Sequence, residues 1–223
     1  MSKKKLFSLS LVVMMIAILS FSTLAWFSAS DTVENKFLVA GSDDEKPEEI
    51  FSVEVKEITP EGEKDGYEYQ NILPGDQLTK DVTVKNTGSY TQYVRVIVTI
   101  SDAEAWVNAL GTTFDASTLF VGFDGAKWNH IWNNLNGATT MPEDIIYVLY
   151  YKDVLDVNGT IDVFDAVKIP DTLTKEQAAK FDGGFTIDVK AQAVQTKNVV
   201  PEGTAAEDAA WKAFQTVNMQ ISE

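Results

Sequence analysis

Tyr93-Val94-Arg95-Val96-Ile97-Val98-Thr99-Ile100 is β-branched nearly throughout. The run from Tyr90 to Ile100 therefore predicts the strongest strand of the chain. Just before it, Leu78, Val82 and Val84 point one way and Thr79, Asp81, Thr83 and Lys85 the other. That alternation marks a half-buried strand. Asn86-Thr87-Gly88-Ser89 separates the two runs, and strands joined by a short Asn/Gly turn predict an antiparallel hairpin.

Upstream of this pair, Phe51, Val53 and Val55 alternate with Ser52, Glu54 and Lys56, a further strand. Glu61–Gly66 is a polar loop, Tyr67–Leu73 a short strand, and Pro74-Gly75-Asp76 a turn. Downstream, Ser101 is placed to cap a helix over Asp102–Leu110, which Gly111 ends. Leu119–Phe123 predicts a strand. Gly125–Gly137 holds Trp128 and Trp132 among four asparagines and carries no assignable pattern. Ile145–Tyr151 is apolar on both faces, as a central strand is, and Val163–Ile169 is a strand stopped by Pro170. Thr174-x-x-Gln177 and Thr204-x-x-Glu207 are capping boxes. The first opens a short helix to Phe181. The second opens a helix to about Asn218, with Ala206, Ala210, Ala213, Phe214 and Val217 near one face. Between them Phe185, Ile187, Val189, Ala191 and Ala193 alternate with polar residues as a long strand. No internal repeat is present. The pattern predicts a mostly β protein, an antiparallel β-sandwich carrying two or three short helices. It does not separate a jelly roll from an immunoglobulin-like topology.

The 223 residues carry a formal charge of −15 and no cysteine. Removing Met1–Ala25, which holds three lysines and no acids, takes the charge to −18. Nucleic acid and anionic lipid headgroups want clustered Lys and Arg, so this charge argues against both as partners. Disulfides, thiolate metal sites and Cys nucleophiles are ruled out by composition. A chain of this size can build a core without disulfides.

The first 41 residues have a distinct anatomy. Lys3, Lys4 and Lys5 precede an apolar run from Leu6 to Leu24, and Thr23-Leu24-Ala25 places small residues where a signal peptidase cuts. Retained, Leu6–Phe27 would be long enough to anchor the chain in a bilayer, at roughly 20 residues per span. Ser42–Glu49 holds Asp43, Asp44, Glu45, Glu48 and Glu49, a solvated linker. The organisation that follows is a signal peptide (1–25, with cleavage between Ala25 and Trp26), an N-terminal strand (26–41), an acidic linker (42–49) and a β-sandwich domain (50–223).

Ala25-Trp26-Phe27-Ser28, then Thr32-Val33-Glu34-Asn35-Lys36-Phe37 and Ala40-Gly41, resemble the export signals handled by the dedicated peptidase SipW. Leu73-Pro74-Gly75-Asp76, Val84-Lys85-Asn86-Thr87-Gly88, Tyr93-Val94-Arg95-Val96 and Ile187–Gln195 with the helix beyond extend the likeness along the chain. The chain thus resembles the TasA and camelysin (CalY) family of Gram-positive bacteria. The resemblance implies a jelly-roll form of the sandwich and a secreted protein of the biofilm matrix or cell surface. It also implies processing by a SipW-type peptidase and a minor protein that anchors the fibre.

Candidate chemistry is sparse. His130 is the only histidine. A His-Glu-x-x-His zinc site needs two, and carboxylates with one His rarely hold zinc. No Gly-x-Ser-x-Gly elbow or Gly-rich phosphate loop occurs, so the expectation is a non-enzyme. Asp156-Val157-Asn158-Gly159 has two readings: an Asn-Gly hairpin turn between flanking strands, or the start of a calcium loop. In the second, Asp156, Asn158 and Asp162 supply oxygen ligands. Calcium is the one cofactor candidate.

Assembly is the favoured chemistry. An open sandwich has edge strands with unpaired backbone groups. An apolar strand on a flexible linker can fill such an edge in a neighbour, and a head-to-tail contact of this kind builds a filament. Trp26, Phe27, Val33, Phe37 and Val39 are the expected plugs, with pairing inside the same domain as the competing arrangement. Two other functions stand beside this one: a camelysin-like surface metalloprotease, and a cell-wall carbohydrate-binding module using exposed tryptophans.

Overall fold

A computed structural model describes residues 28–32, 36–37, 52–64, 66–132, 142–181 and 184–217. Among these residues the chain forms two antiparallel sheets and three short helices, the expected β-sandwich. The strands are β1 (Ser28–Thr32), β2 (Lys36–Phe37), β3 (Val53–Thr59), β4 (Gly62–Glu63), β5 (Gln77–Asn86), β6 (Gln92–Ile100), β7 (Phe120–Val121), β8 (Trp128–Trp132), β9 (Ile145–Tyr151), β10 (Thr160–Lys168) and β11 (Ile187–Gln195). The helices are α1 (Ala103–Leu110), α2 (Lys175–Ala178) and α3 (Ala206–Thr216). One sheet runs β2-β1-β11-β6-β9-β8 and the other β4-β3-β5-β10-β7.

The layer between the sheets is filled by the alternating residues that pattern marks out. Val53 and Val55, Val82 and Val84, Val94, Val96, Val98 and Ile100, and Val189, Ala191 and Ala193 are all buried in one core. β6 and β9 are covered on both faces, because α3 packs on the outside of their sheet. There Ile97, Val148, Tyr150 and Val194 meet Ala210, Ala213 and Phe214. The far end of the sandwich is plugged by Trp106 of α1. It stacks on Phe114 at 5.1 Å and meets Phe181 and Phe185 edge-on.

Two expected hairpins do not form. β5 and β6 lie in different sheets, and so do β9 and β10. Both Asn/Gly segments are corners that carry the chain across the sandwich, and they dock on each other. Asn86 N–H donates to Gly159 O at 2.9 Å, and Asn158 N–H donates to Asn86 O at 3.1 Å. The physical reason is the burial of Asn86 and Gln92, both fully enclosed. In a flat hairpin these amides would face an apolar layer without partners, at a cost. At the corner Asn86 Nδ2 donates to Tyr90 O (2.8 Å) and Leu155 O (2.9 Å), while its Oδ1 accepts from Gly88 N–H (2.9 Å) and Gln92 Nε2 (2.5 Å). Gln92 Nε2 also reaches Ser52 O at 3.1 Å, tying β3 to the same knot.

Smaller expectations also shift. Tyr67–Leu73 is not a strand: Asn71 turns the backbone at φ 57°, and Tyr69 hydroxyl donates to Thr79 O on β5. Asp102 rather than Ser101 caps α1, accepting from Ala105 N–H at 3.0 Å, because Ser101 Oγ is taken by Thr186 N–H. The Thr174/Gln177 capping box forms. The Thr204/Glu207 box does not, since Thr204 hydroxyl donates to Pro201 O at 2.8 Å and Ala205 is the N-cap. Leu119–Phe123 narrows to β7, with a 3-10 turn over Ala116–Leu119 before it and Gly122 (φ 81°) ending it. The unassigned tryptophan region contains β8.

Asp115 caps that 3-10 turn and holds the core. Its Oδ1 accepts from Ser117 N–H at 3.0 Å and from the buried Tyr147 hydroxyl at 2.8 Å. Burial alone would raise the Asp115 pKa, but the hydrogen bonds from Ser117 and Tyr147 outweigh it and hold the carboxyl below its ordinary value. A carboxyl lowered on folding adds stability above its unfolded pKa, and that stability fades as pH falls through the folded value.

Asn86→Ala is expected to destabilise the domain by about 2–4 kcal/mol, by stranding buried backbone groups at roughly 1–3 kcal/mol each. A loss of unfolding free energy below about 0.5 kcal/mol in urea titrations would show that the corner is not decisive. Tyr147→Phe is expected to cost stability at neutral pH. Thermal unfolding across pH should show the deficit shrinking below the ordinary carboxylate range of about 3.9; a deficit that stays constant would remove Asp115 from it.

Candidate assembly edge

The edge that the assembly reading requires is that of β11. β11 pairs with β6 over its whole length on one side, from Ile187↔Ile100 to Gln195↔Gln92. On the other side, among the described residues, it pairs only with β1, antiparallel, from Ser28↔Val194 to Thr32↔Lys190. β2 adds a two-residue rung, Ser30↔Phe37 and Asp31↔Lys36. The N-terminal segment thus completes the sheet within its own chain, as the competing arrangement expects. Without β1, β11 would present a row of open N–H and C=O groups.

The side chains behind this edge divide by sheet face. Val189, Ala191 and Ala193 face the inter-sheet core and are buried. On the opposite face Gln192 Oε1 accepts from Arg95 Nε at 2.6 Å, and both are buried under α3. The Arg95 guanidinium lies 4.5 Å over the Phe214 ring, a cation–π contact that keeps a buried cation in an apolar layer. Lys190 stands beside it, and burial followed by repulsion from Arg95 lowers its pKa. Helix and edge strand are therefore coupled through one polar pair.

Across the sandwich, β3 carries the feature that sequence reasoning missed. Its alternation continues past Val55 into Glu57 and Thr59, which are 2% and 4% exposed. Glu57 Oε2 meets Lys80 Nζ at 2.6 Å. Burial, followed by the nearby Glu57 charge, pushes the Tyr69 hydroxyl up to about 12. The period-2 pattern itself was the available signal: Glu57 falls on the same register as Val53 and Val55.

Of the expected plug residues, Phe37 lies in β2. Trp26, Phe27, Val33 and Val39, with the cleavage residue Ala25, lie outside the described residues. Asp156, Asn158 and Asp162 are exposed. Asp156 and Asn158 sit on the docked corner, with Asn158 at φ 61°. Asp162 stands on the outer face of the five-stranded sheet near Asp81 and Asp165. Burial, then the carboxylates of Asp165 and Asp162, raise the Asp81 pKa. Among the described residues no three His, Cys, Asp or Glu side chains come together as a metal-binding group. His130 is exposed on β8, its ring 6.4 Å from Phe123. Trp106 and Trp128 are buried, so neither is available as a sugar platform. No family model, curated protein or solved structure matches the chain.

Lys80→Met is expected to cost about 3–5 kcal/mol, because it leaves the Glu57 carboxylate buried without its cation. The double variant Glu57→Leu/Lys80→Met should recover most of that loss in urea unfolding. A double variant no more stable than Lys80→Met would show that the pair is not what Glu57 depends on.

Proposed function

We propose that the chain is a secreted structural protein of the TasA and camelysin type, which polymerises into extracellular fibres by strand exchange at β11. The observation that carries this reading is the composition and place of β1. It is the sole occupant of the β11 edge among the described residues. It consists of Ser-Ala-Ser-Asp-Thr, and its ladder with β11 is made of backbone hydrogen bonds. A neighbour's β1 makes the same backbone bonds. The acidic stretch 42–49 separates the segment from the body in sequence, and its charge-rich composition suits a linker. Export, SipW-type processing, a Gram-positive surface location and an anchoring partner belong to the same proposal, which includes no catalytic step.

The absence of cysteine makes a direct test clean. Ala29 stands opposite Ala193, and directly opposed residues bring their Cβ atoms within about 5.5 Å. In a chain beginning at Trp26, the pair Ala29→Cys/Ala193→Cys is expected to oxidise between copies and give a covalent ladder on non-reducing gels. Electron microscopy of the unsubstituted chain beginning at Trp26 should show fibres, and of a chain beginning at Gly41 only monomers. A disulfide formed solely within single chains, together with identical behaviour of the two forms, would overturn the reading. Cleavage of casein by the pure protein, abolished by chelator, would favour the protease instead.

A further inference from the structure

Asn158-Gly159 forms the corner that docks on Asn86, and its geometry dictates both residues. Asn158 holds a positive φ of 61°, a conformation that Asn tolerates better than most residues with side chains. A Cβ at position 159 would lie 2.9 Å from Asp156 O and 3.1 Å from Leu155 Cδ1, so glycine alone fits without a shift. The fold thus demands Asn followed by Gly. That dipeptide is also open to self-attack, because glycine leaves its backbone nitrogen unhindered beside the asparagine amide. In that reaction the Gly159 nitrogen loses its proton and bonds to Asn158 Cγ, the Cγ–Nδ2 bond breaks, and ammonia leaves with a proton. Water then opens the five-membered imide. Opening at Cγ gives aspartate. Opening at the main-chain carbonyl gives isoaspartate, with one more carbon in the backbone.

Asn158 is exposed, so water reaches it freely. What stands in the way is the backbone. Gly159 N–H donates to Asp156 O at 2.8 Å, Asn158 N–H donates to Asn86 O at 3.1 Å, and Gly159 O accepts from Asn86 N–H at 2.9 Å. Bringing the Gly159 nitrogen onto Cγ requires the first bond to break and the peptide plane between the two residues to turn, which pulls the other two bonds apart. The reaction therefore waits on local opening of the corner. We infer that Asn158-Gly159 is a latent deamidation site, held shut by its docking on Asn86, and that isoaspartate formed there bars the corner from closing again. The second half follows from the pairing. Asn86 presents one N–H and one C=O, spaced to meet Gly159 O and Asn158 N–H. An extra backbone carbon between those two groups puts at least one out of reach, beside an Asn86 that is fully buried. Ordinary aspartate keeps the spacing and tolerates positive φ. The folded domain thus preserves Asn158, while a chain left unfolded loses irreversibly its ability to close. This holds whether or not β1 exchanges between copies.

Trypsin releases residues 153–168 with Asn158 as their sole asparagine, so mass spectrometry after incubation at mildly alkaline pH reads this site alone. The native protein is expected to deamidate there at least about tenfold more slowly than the same protein in guanidinium chloride, the ratio that 1.4 kcal/mol of closure sets. A smaller ratio would overturn the gate, and this comparison needs no variant. Asn86→Ala, kept under conditions where circular dichroism shows it folded, is expected to react at least about tenfold faster than the native protein. A smaller rise in the folded variant would show that docking on Asn86 is not what holds the site shut. For the product, protein aged in guanidinium chloride is diluted to refold, and the protease-resistant fraction is separated from the rest. The resistant fraction should carry asparagine or aspartate at position 158, and the sensitive fraction should be enriched in isoaspartate. An equal share of isoaspartate in both fractions would overturn the bar to closing.

Discussion

The burial of one asparagine amide governs how the two sheets are joined. Asn86 has no contact with water, and all of its side-chain hydrogen-bonding groups point at backbone or at Gln92. Its own N–H and C=O bond to the second corner, at Gly159 and Asn158. A buried polar group tolerates few alternative arrangements, because each lost partner leaves a desolvated atom. The corner therefore fixes where β5 gives way to β6 and where β9 gives way to β10. Through Gln92 it also fixes Ser52, and so the start of β3. Five strands take their relative placement from this knot.

The two open sides of the sandwich are closed by different means. On one side Trp128 of β8 is buried against the core, and its indole N–H donates to Asp162 O on β10 at 3.2 Å. That closure combines a large apolar surface with a specific hydrogen bond, and removing it would expose both. On the other side the closing strand is β1, made of small and polar residues. Its ladder with β11 is a backbone one, from Ser28↔Val194 to Thr32↔Lys190. The two sides thus differ in what closes them: a buried indole with a hydrogen bond on the β8 side, and a short strand of small and polar residues on the β11 side. Behind the β11 edge, the Arg95–Gln192 pair and α3 keep β11 itself in position.

Strand content was legible where side-chain alternation is unambiguous. β3, β5, β6, β9, β10 and β11 follow period 2 or a continuous apolar run, and the Thr174/Gln177 box marks α2 through a local hydrogen-bond pair. Signals that depend on competition for a partner were not legible. Ser101 and Thr204 have good capping chemistry, but their hydroxyls are committed to Thr186 N–H and Pro201 O. Glu57 lay in plain view on an inward register, yet a buried carboxylate becomes acceptable only once Lys80, 23 positions away, stands beside it. The calcium reading and the turn reading of Asp156–Gly159 share the same residues, and only the docking on Asn86 distinguishes a structural corner.

From the order of its residues alone, this protein is an antiparallel sandwich with short helices, an acidic surface, and an N-terminal segment set apart from the body by acidic residues. Those properties follow from local periodicity, charge and turn chemistry, which act over a few neighbours. Tertiary structure alone decided that the Asn/Gly turns are corners rather than hairpins, and that β11 is the edge filled by β1. Each of these depends on groups far apart in the chain meeting to satisfy a buried hydrogen bond or to complete a sheet. Periodicity along one strand says which face is apolar, but not which strand will supply the missing partner.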